Sequence, residues 1–384
     1  MPFTELQNEL NERAALGMLR QRRTLQSPQS PHILVDSKPY LSFCSNDYLG
    51  FANHHQLATA MKQGAEQWGA GAGAAHLVSG HTQAHHEVEI ALASFAKKPA
   101  ALLFSTGYMA NLGVLQALVG KGDTVFADKL NHASLNDAMQ LSRAEIKRYR
   151  HGDMAQLAQL LAQTKKGRKL VVSDAVFSMD GDIAPLPELL AFCEQHDAWL
   201  LVDDAHGFGV LGEQGRGSLE HFGIASPRII YMATLGKAAG VFGAFVAAEQ
   251  VVIDTLINHA HSYVYTTATP PALSSAVLES LKLIGQGQEL RAHLQGLIAQ
   301  LRSGLHDLPW ALMPSTTAIQ PLLIGDNQAA LDLSAGLRDR GIWVAAIRPP
   351  TVPPGTARLR ITLSAAHSAA DVTQLTEALH GLAR

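Results

Sequence analysis

Cysteine and charge are what this chain is short of. Only two cysteines occur among 384 residues, Cys44 and Cys193. They lie far apart, so neither a disulfide framework nor a cysteine zinc site can be built from them. Each sits in an apolar stretch (LSFCSN and LLAFCEQ), where a small buried hydrophobe is the expected use. Charged residues make up 16% of the chain, against roughly 25% in an average domain. Ala, Gly, Gln and His fill the gap, so part of the surface is expected to be covered, as by a second subunit. Thirty basic against 33 acidic residues leave a net charge of −3. No basic excess speaks for nucleic acid or for a membrane surface. No apolar run approaches the ~18 residues of a transmembrane helix. The opening MPFTELQNEL carries charges and lacks the apolar region of a secretory signal. The expectation is a soluble, cytoplasmic protein.

What is present is a rhythm. The first two dozen residues read as a polar helix ending in Arg20, Arg22 and Arg23, followed by a Ser/Pro/Gln loop and an extended pair around HILV and PYLSF. From about position 82 helical and strand patterns alternate. ALLF (101–104), 124–127, LVVS (170–173) and WLLV (199–202) read as strands, the last two as continuous apolar runs buried on both faces of a parallel sheet. Alternation of this kind predicts an α/β layer architecture. After about position 250 long helices at 271–306 give way to strands near 318–324, 342–347 and 358–363 and a last helix from about 368. We therefore expect an N-terminal segment (1–50), a large α/β domain (51–285) and a smaller α+β C-terminal domain (286–384). The run GAGAGAA (69–75) reads as a tight backbone passage near a ligand.

Chemistry-bearing residues follow the expected strands. In LLVDDAHGFGVLG (200–212) a buried strand ends in Asp203 and Asp204, with His206 two residues on. Ligands in open α/β sheets bind at the carboxyl ends of strands. A carboxylate there can pair with a protonated ring nitrogen and make the ring an electron sink; the plainer alternative is an Asp that caps the next element. Gly207, Gly209 and Gly212 spell G-x-G-x-x-G, but EQGRGS follows instead of a helix, so the dinucleotide fingerprint fails on context. Lys237, in TLGK after the apolar RIIYMA, has no amphipathic helix to solubilise it. Partial desolvation would favour the neutral amine that forms a Schiff base; the alternative is an ordinary loop lysine. Ala238 after Gly-Lys excludes a Walker A loop.

Ser105, Thr106, Gly107 and Tyr108 precede a helix whose N–H groups could seat a phosphate, or merely cap it. Thr234 could add a hydroxyl. His132 in NHAS could stack on a flat ring or cap a helix. Ser178 in SMDG could bond a phenolate, or its Asp-Gly could simply turn the chain. His81, His85 and His86 have helical spacing, but Ile90 stands where H-E-x-x-H needs its second histidine. They read as a solvated helix face, not as a metal site.

Taken in order, G-Y (107–108), N-H-A-S (131–134), S-M-D-G (178–181), D-D-A-H (203–206) and T-L-G-K (234–237) resemble the α-oxoamine synthase family of fold-type I enzymes dependent on pyridoxal 5′-phosphate (PLP). The resemblance runs from SNDYLG (45–50) to RLRITLSAAH (358–367). HLVSGH, DDAHGFGVLGEQGRGS and AIRPPTVPPGTARLRITL bring it nearest the biotin-pathway branch; other branches tend to have Arg where His76 stands. Asp174 replaces a common Glu, and Thr106 stands where Gly or Ser is frequent; neither departure is expected to touch the chemistry. The resemblance implies a large, mainly parallel-sheet domain with a smaller α+β domain, and catalytic roles for Lys237, His132 and Asp203. Lys237 would carry PLP, Asp203 would pair with its ring nitrogen, and His206 and Ser178 would contact the ring oxygen. His132 would stack on the ring, and Gly107, Tyr108 and Thr234 would seat the phosphate. Arg20, Asn46, His76, His132 and Thr351 would line the substrate side, with Arg360 offered to the amino-acid carboxylate as a bidentate fork. It further implies a homodimer with shared sites, YTTATPP (265–271) reaching the neighbour's phosphate. The implied reaction joins L-alanine to a pimeloyl thioester carried by CoA or an acyl carrier protein. The rival within the family is a glycine-using member such as glycine C-acetyltransferase.

Overall fold

The computed structural model describes residues 2–383. The chain divides into two compact units. One comprises Asn46–Ser178 and Asp182–Ala292; the other holds residues up to 45, Met179–Gly181 and the chain from His293 onward.

The larger unit is built on a seven-stranded sheet: β1 (Ala100–Phe104), β2 (Thr124–Asp128), β3 (Glu145–Tyr149), β4 (Lys169–Asp174), β5 (Trp199–Asp203), β6 (Ile229–Thr234) and β7 (Ala244–Ala248). Their order across the sheet is β1-β7-β6-β5-β4-β2-β3. β2 to β6 run parallel to one another. Only β7 is reversed, antiparallel to both β1 and β6. The carboxyl ends of β1 to β6 therefore share one edge. Leu170, Val171 and Val172 in β4 and Leu200, Leu201 and Val202 in β5 are fully buried. That explains why these strands read as unbroken apolar runs: helices cover both faces, as in parallel sheets generally.

Two helices stand at that edge, α1 (Gly107–Leu118) after β1 and α2 (Ala133–Ser142) after β2. Thr106 caps α1, its side chain accepting from Met109 N–H, and His132 caps α2. Val114, Leu115 and Leu118 of α1 pack with Leu135, Ala138 and Met139 of α2 in one core cluster over the sheet. After β5 the chain makes turns through Gly207, Gly209 and Gly212, and a helix begins only at Ser218.

The smaller unit holds a four-stranded antiparallel sheet of Ala311–Leu312, Ile319–Gly325, Ala357–Thr362 and Ala345–Ile347. A three-stranded sheet joins His32–Val35, Lys38–Ser42 and Ile342–Trp343. Helices Thr4–Ala15, Asn327–Asp339 and Ala369–Leu382 belong to it, with most of the helix Gln288–Gly304.

Three expectations need correction. The N-terminal helix spans only Thr4–Ala15. Gly17 takes a positive φ of 63° beyond its end, so Arg20, Arg22 and Arg23 lie on exposed, non-helical chain that Thr24 and Gln26 tie to Asp36 and Leu34. His85 is no part of a solvated face. It is fully buried, its Nδ1 completes a capping box with Thr82, and its Nε2 lies 2.8 Å from the Thr269 carbonyl. The run at 69–75 is tight only at its end: a Cβ at 69, 71 or 73 would meet nothing within 4 Å, whereas Ala74 accepts from Ala268 N–H, Ala75 bridges to Thr267, and a Cβ on Gly80 would collide with the Ala74 carbonyl.

Candidate active site

Asn131, His132, Ser178, Asp203, His206, Thr234 and Lys237 all lie at or just past the carboxyl ends of β2, β4, β5 and β6, four strands that are neighbours in the sheet. Gly107 and Tyr108 follow β1 at the same edge. Adjacency in the sheet thus turns residues far apart in sequence into one cluster, at the edge where open α/β sheets hold their ligands.

Lys237 is half-buried, and its Nζ stands 2.9 Å from His206 Nε2. On the other side of that ring, His206 Nδ1 is 2.5 Å from the Tyr48 hydroxyl, which also donates to Asn46 Oδ1 at 3.2 Å. The two consecutive carboxylates separate cleanly. Asp203 accepts from Asn111 Nδ2 at 2.8 Å and from Ala205 N–H at 3.1 Å. Asp204 is fully buried and accepts from Ser218 N–H at 2.7 Å and the Tyr231 hydroxyl at 2.8 Å. Burial pushes Asp204 up to about 7. Only Asp203 is tied to the elements around His132.

His132 caps α2 with an exposed outer face. Its Nδ1 lies 2.8 Å from Ser134 Oγ and accepts from Ser134 N–H at 3.2 Å, while its own backbone N–H donates to Asp174 Oδ2 at 2.7 Å. Desolvation of the inner face lowers its affinity for a proton; the Asp203 carboxylate works against this and Lys237 with it. Burial, reinforced by Asp203, raises Asp174 well above the ordinary carboxylate range. Through that bond Asp174 fixes the start of α2.

Thr234 is half-buried, and its hydroxyl donates to the Gly243 carbonyl at 3.0 Å and accepts from Gly236 N–H. Gly107 opens α1, and a Cβ there would meet only the Met232 side chain and Thr234, at 3.7–4.0 Å. The exposed Tyr108 donates its hydroxyl to Asp137. Ser178 is half-buried after β4. His76 stacks on Tyr263 with centroids 4.9 Å apart, its Nδ1 3.1 Å from His81 Nδ1. Burial and its neighbours His85 and His81 lower it to about 4, so it is neutral at physiological pH. His76, His81 and His85 bring ring nitrogens within 4.8 Å of one another, but both nitrogens of His85 already have protein partners.

The smaller unit carries the other three residues singled out from sequence. Arg20 reaches Thr351 Oγ1 at 3.4 Å. Arg360 is buried in the strand Ala357–Thr362 and donates to Thr362 Oγ1 at 3.0 Å. Two residues earlier, Arg358 is committed to Asp180 and the Met179 carbonyl.

Sequence reasoning missed Tyr48, Asn111 and Ser134. Asn111 did leave a signal, as the one amide on the buried face of the otherwise apolar GYMANLGVLQAL.

A lysine amine, a buried carboxylate and the open N-terminus of a helix, gathered at the carboxyl edge of a mainly parallel sheet, have the donor chemistry to hold a phosphorylated pyridine aldehyde. They define a class of enzyme that works through such a cofactor. Similarity to known proteins points the same way. The sequence model of the family "Aminotransferase class I and II" matches residues 38–379. The 8-amino-7-oxononanoate synthase of Nitrosospira multiformis is 62% identical over 379 residues, 99% of this chain and 96% of that protein. Among solved structures, a serine palmitoyltransferase variant from S. paucimobilis with bound PLP–myriocin aldimine superposes with a TM-score of 0.92 at 31% identity, covering 99% and 96% of the two chains. The 8-amino-7-oxononanoate synthase of Francisella tularensis gives 0.79 at 31%, covering 89% and 97%. The chain belongs to the class I and II aminotransferase family of fold-type I PLP enzymes, and within it to the 8-amino-7-oxononanoate synthases.

Proposed function

We propose that the protein condenses L-alanine with a pimeloyl thioester, giving 8-amino-7-oxononanoate, CO2 and the free thiol, with PLP held on Lys237. The observation that carries this is the placement of Lys237, just past the strand that neighbours the one ending in Asp203, with its Nζ beside His206. When bound, PLP supplies the electron sink that lets a proton leave the amino acid's Cα.

The chain's own residues divide the remaining work. The Lys237 amine holds the cofactor and, once displaced by alanine, takes the Cα proton and returns one after CO2 has left. Asp203 keeps the ring nitrogen protonated by opposite charge. His206 and Ser178 bond the ring oxygen, and His132 covers one ring face. N–H groups at Gly107 and Tyr108, with Thr234, seat the phosphate where a helix N-terminus favours an anion. Arg20, Asn46, His76, His132 and Thr351 line the acyl side. Arg360 takes the amino-acid carboxylate, because a guanidinium fork matches it in two bonds.

Two chains act together as a homodimer in the cytoplasm. Leu77, Val78 and Tyr265 stand 53%, 79% and 79% exposed, an apolar display that suits a partner surface. Tyr265 begins the YTTATPP segment assigned to the neighbour's phosphate. No described helix is long and apolar enough to cross a membrane. The acyl group arrives on CoA or an acyl carrier protein, and the exposed Arg20, Arg22 and Arg23 suit the anionic character of either.

The test is the absorbance spectrum of the purified protein, followed by addition of L-alanine and then pimeloyl-CoA. A visible cofactor band that changes with alanine, with thiol released only after the thioester, is expected. Glycine and serine should release thiol far more slowly. A protein that stays colourless with added PLP, or that prefers glycine, refutes the assignment.

A further inference from the structure

Asn111 is a fully buried amide within an apolar helix, and its Oδ1 has no hydrogen-bond partner. Leaving a buried acceptor unmade costs stability, so this side chain is not there for packing. Its –NH2 group accounts for it. One hydrogen goes to Asp203 Oδ2 at 2.8 Å and the other to Ser134 Oγ at 2.9 Å. The amide orientation follows from chemistry, since a carboxylate can only accept and must face the –NH2 end. Ser134 is likewise buried. Having accepted from Asn111, its hydroxyl turns its own proton to His132 Nδ1, 2.8 Å away, where the Ser134 backbone N–H also points at 3.2 Å. With two donors on Nδ1, a neutral imidazole must carry its proton on Nε2.

We propose that Asn111 and Ser134 are positioning residues, a buried relay that fixes the Asp203 carboxylate at one end and holds His132 as the neutral Nε2–H tautomer at the other. This rests on the assignment of Asp203 and His132 to opposite duties on the cofactor ring. Asp203 must face the ring nitrogen as an acceptor. His132 must lie over the ring without a second positive charge, because an imidazolium beside a protonated pyridine repels it. One chain of hydrogen bonds secures both. The burial that lowers the proton affinity of His132 works in the same direction.

The test is nitrogen NMR of the full-length protein labelled at histidine, with and without PLP, His132 being assigned by its loss in His132→Gln. The expected result is a bare Nδ1 and a protonated Nε2 near neutral pH. Ser134→Ala should mix the tautomers and raise the pH at which His132 titrates, and Ser134→Thr, which restores the hydroxyl, should return both to the parent pattern. Asn111→Leu should loosen PLP binding roughly tenfold, the loss expected for one hydrogen bond to a charged group, and shift the pH response of the cofactor band. A His132 with its proton on Nδ1 in the parent overturns the proposal without any variant. So do Ser134→Ala and Asn111→Leu proteins that match the parent in tautomer, titration and PLP affinity. A parent that binds no PLP sinks the function assigned above, whereas the tautomer of the apoprotein still decides the relay.

Discussion

Asp203 and Asp204 are neighbours in sequence, and the structure makes their replacement an informative contrast. Asp204 accepts from Ser218 N–H and the Tyr231 hydroxyl in a fully buried setting. Asp204→Ala removes both bonds and orphans the buried Ser218 N–H, while the Tyr231 hydroxyl keeps the Arg216 carbonyl at 3.1 Å. At about 1.5 kcal/mol for each bond to a charged group, the loss is about 3 kcal/mol, or roughly 6–12 °C in melting temperature for a domain of this size. Asp203→Asn keeps the volume and an oxygen for Ala205 N–H, and only the Asn111 contact turns donor against donor. That costs about 1 kcal/mol and a few degrees. Its effect on turnover is far larger. A carboxylate against a cationic ring is worth about 4 kcal/mol near contact at an effective dielectric of about 20, so the rate should fall roughly a thousandfold. The assays are apoprotein melting curves and thiol release from pimeloyl-CoA with L-alanine. An Asp204→Ala protein that melts like the parent but is inactive, beside an active Asp203→Asn protein, would show that the two carboxylates have been assigned the wrong way round.

Three further expectations concern the same framework. Lys237→Ala should abolish turnover and the lysine-linked visible band while leaving the apoprotein melt within a few degrees, since the Nζ has left solvent only in part; normal activity would end the assignment. His151 lies between Asp128 and Asp182, whose hydrogen bonds raise it to about 10. A folded value above the ordinary 6.5 means stabilisation that is complete below about pH 6.5 and lost as pH rises toward 10. His151→Gln should therefore cost about 2 kcal/mol near pH 6 and almost nothing near pH 10, and a difference in urea midpoint that does not vary with pH would refute this. In the smaller unit Arg358 is buried against Asp180, so Asp180→Ala should cost about 3 kcal/mol by stranding a guanidinium. Arg358→Met, which removes the charge and keeps apolar bulk, should cost less; equal losses would show that the ion pair is not what matters.

Much of the fold and site is legible in sequence because the parallel strands announce themselves. A strand covered on both faces has no polar alternation, so LVVS and WLLV stand out, and a polar residue just past such a run has to lie at the carboxyl edge. That logic places His132, Ser178, Asp203 and Lys237 near one another. It cannot separate Asp203 from Asp204. Neighbouring residues leaving a strand face opposite sides, and which side holds α1 with its Asn111 depends on how the helices cross over the sheet. His85 is misjudged from sequence for a similar reason. Its spacing with His81 and His86 suggests a wet helix face, but the helix begins only at Gln83, so His81 precedes it and His85 turns inward to cap it. The N-terminal helix reads too long because Gly17, the kind of residue that ends a helix one position past its C-cap, is passed over as a stop; its positive φ lies just beyond the true end.

The register of β4 on β5 carries the electrostatic logic one step further. Asp174 and Asp203 are paired across these strands, which sets two carboxyl groups side by side at the edge where the cofactor is assigned. Two full negative charges there would be costly without a cation between them. Burial and the neighbouring Asp203 raise Asp174, so it resists ionisation, and its Oδ2 is occupied by the His132 N–H. Asp174 can thus brace α2 without adding a second full charge. Lys237 works against that shift, so forming a Schiff base on its amine alters the balance of the whole cluster. The pH response of the cofactor band should therefore change in Asp174→Asn. An Asp174→Asn protein with the parent's pH response would show that Asp174 serves geometry alone.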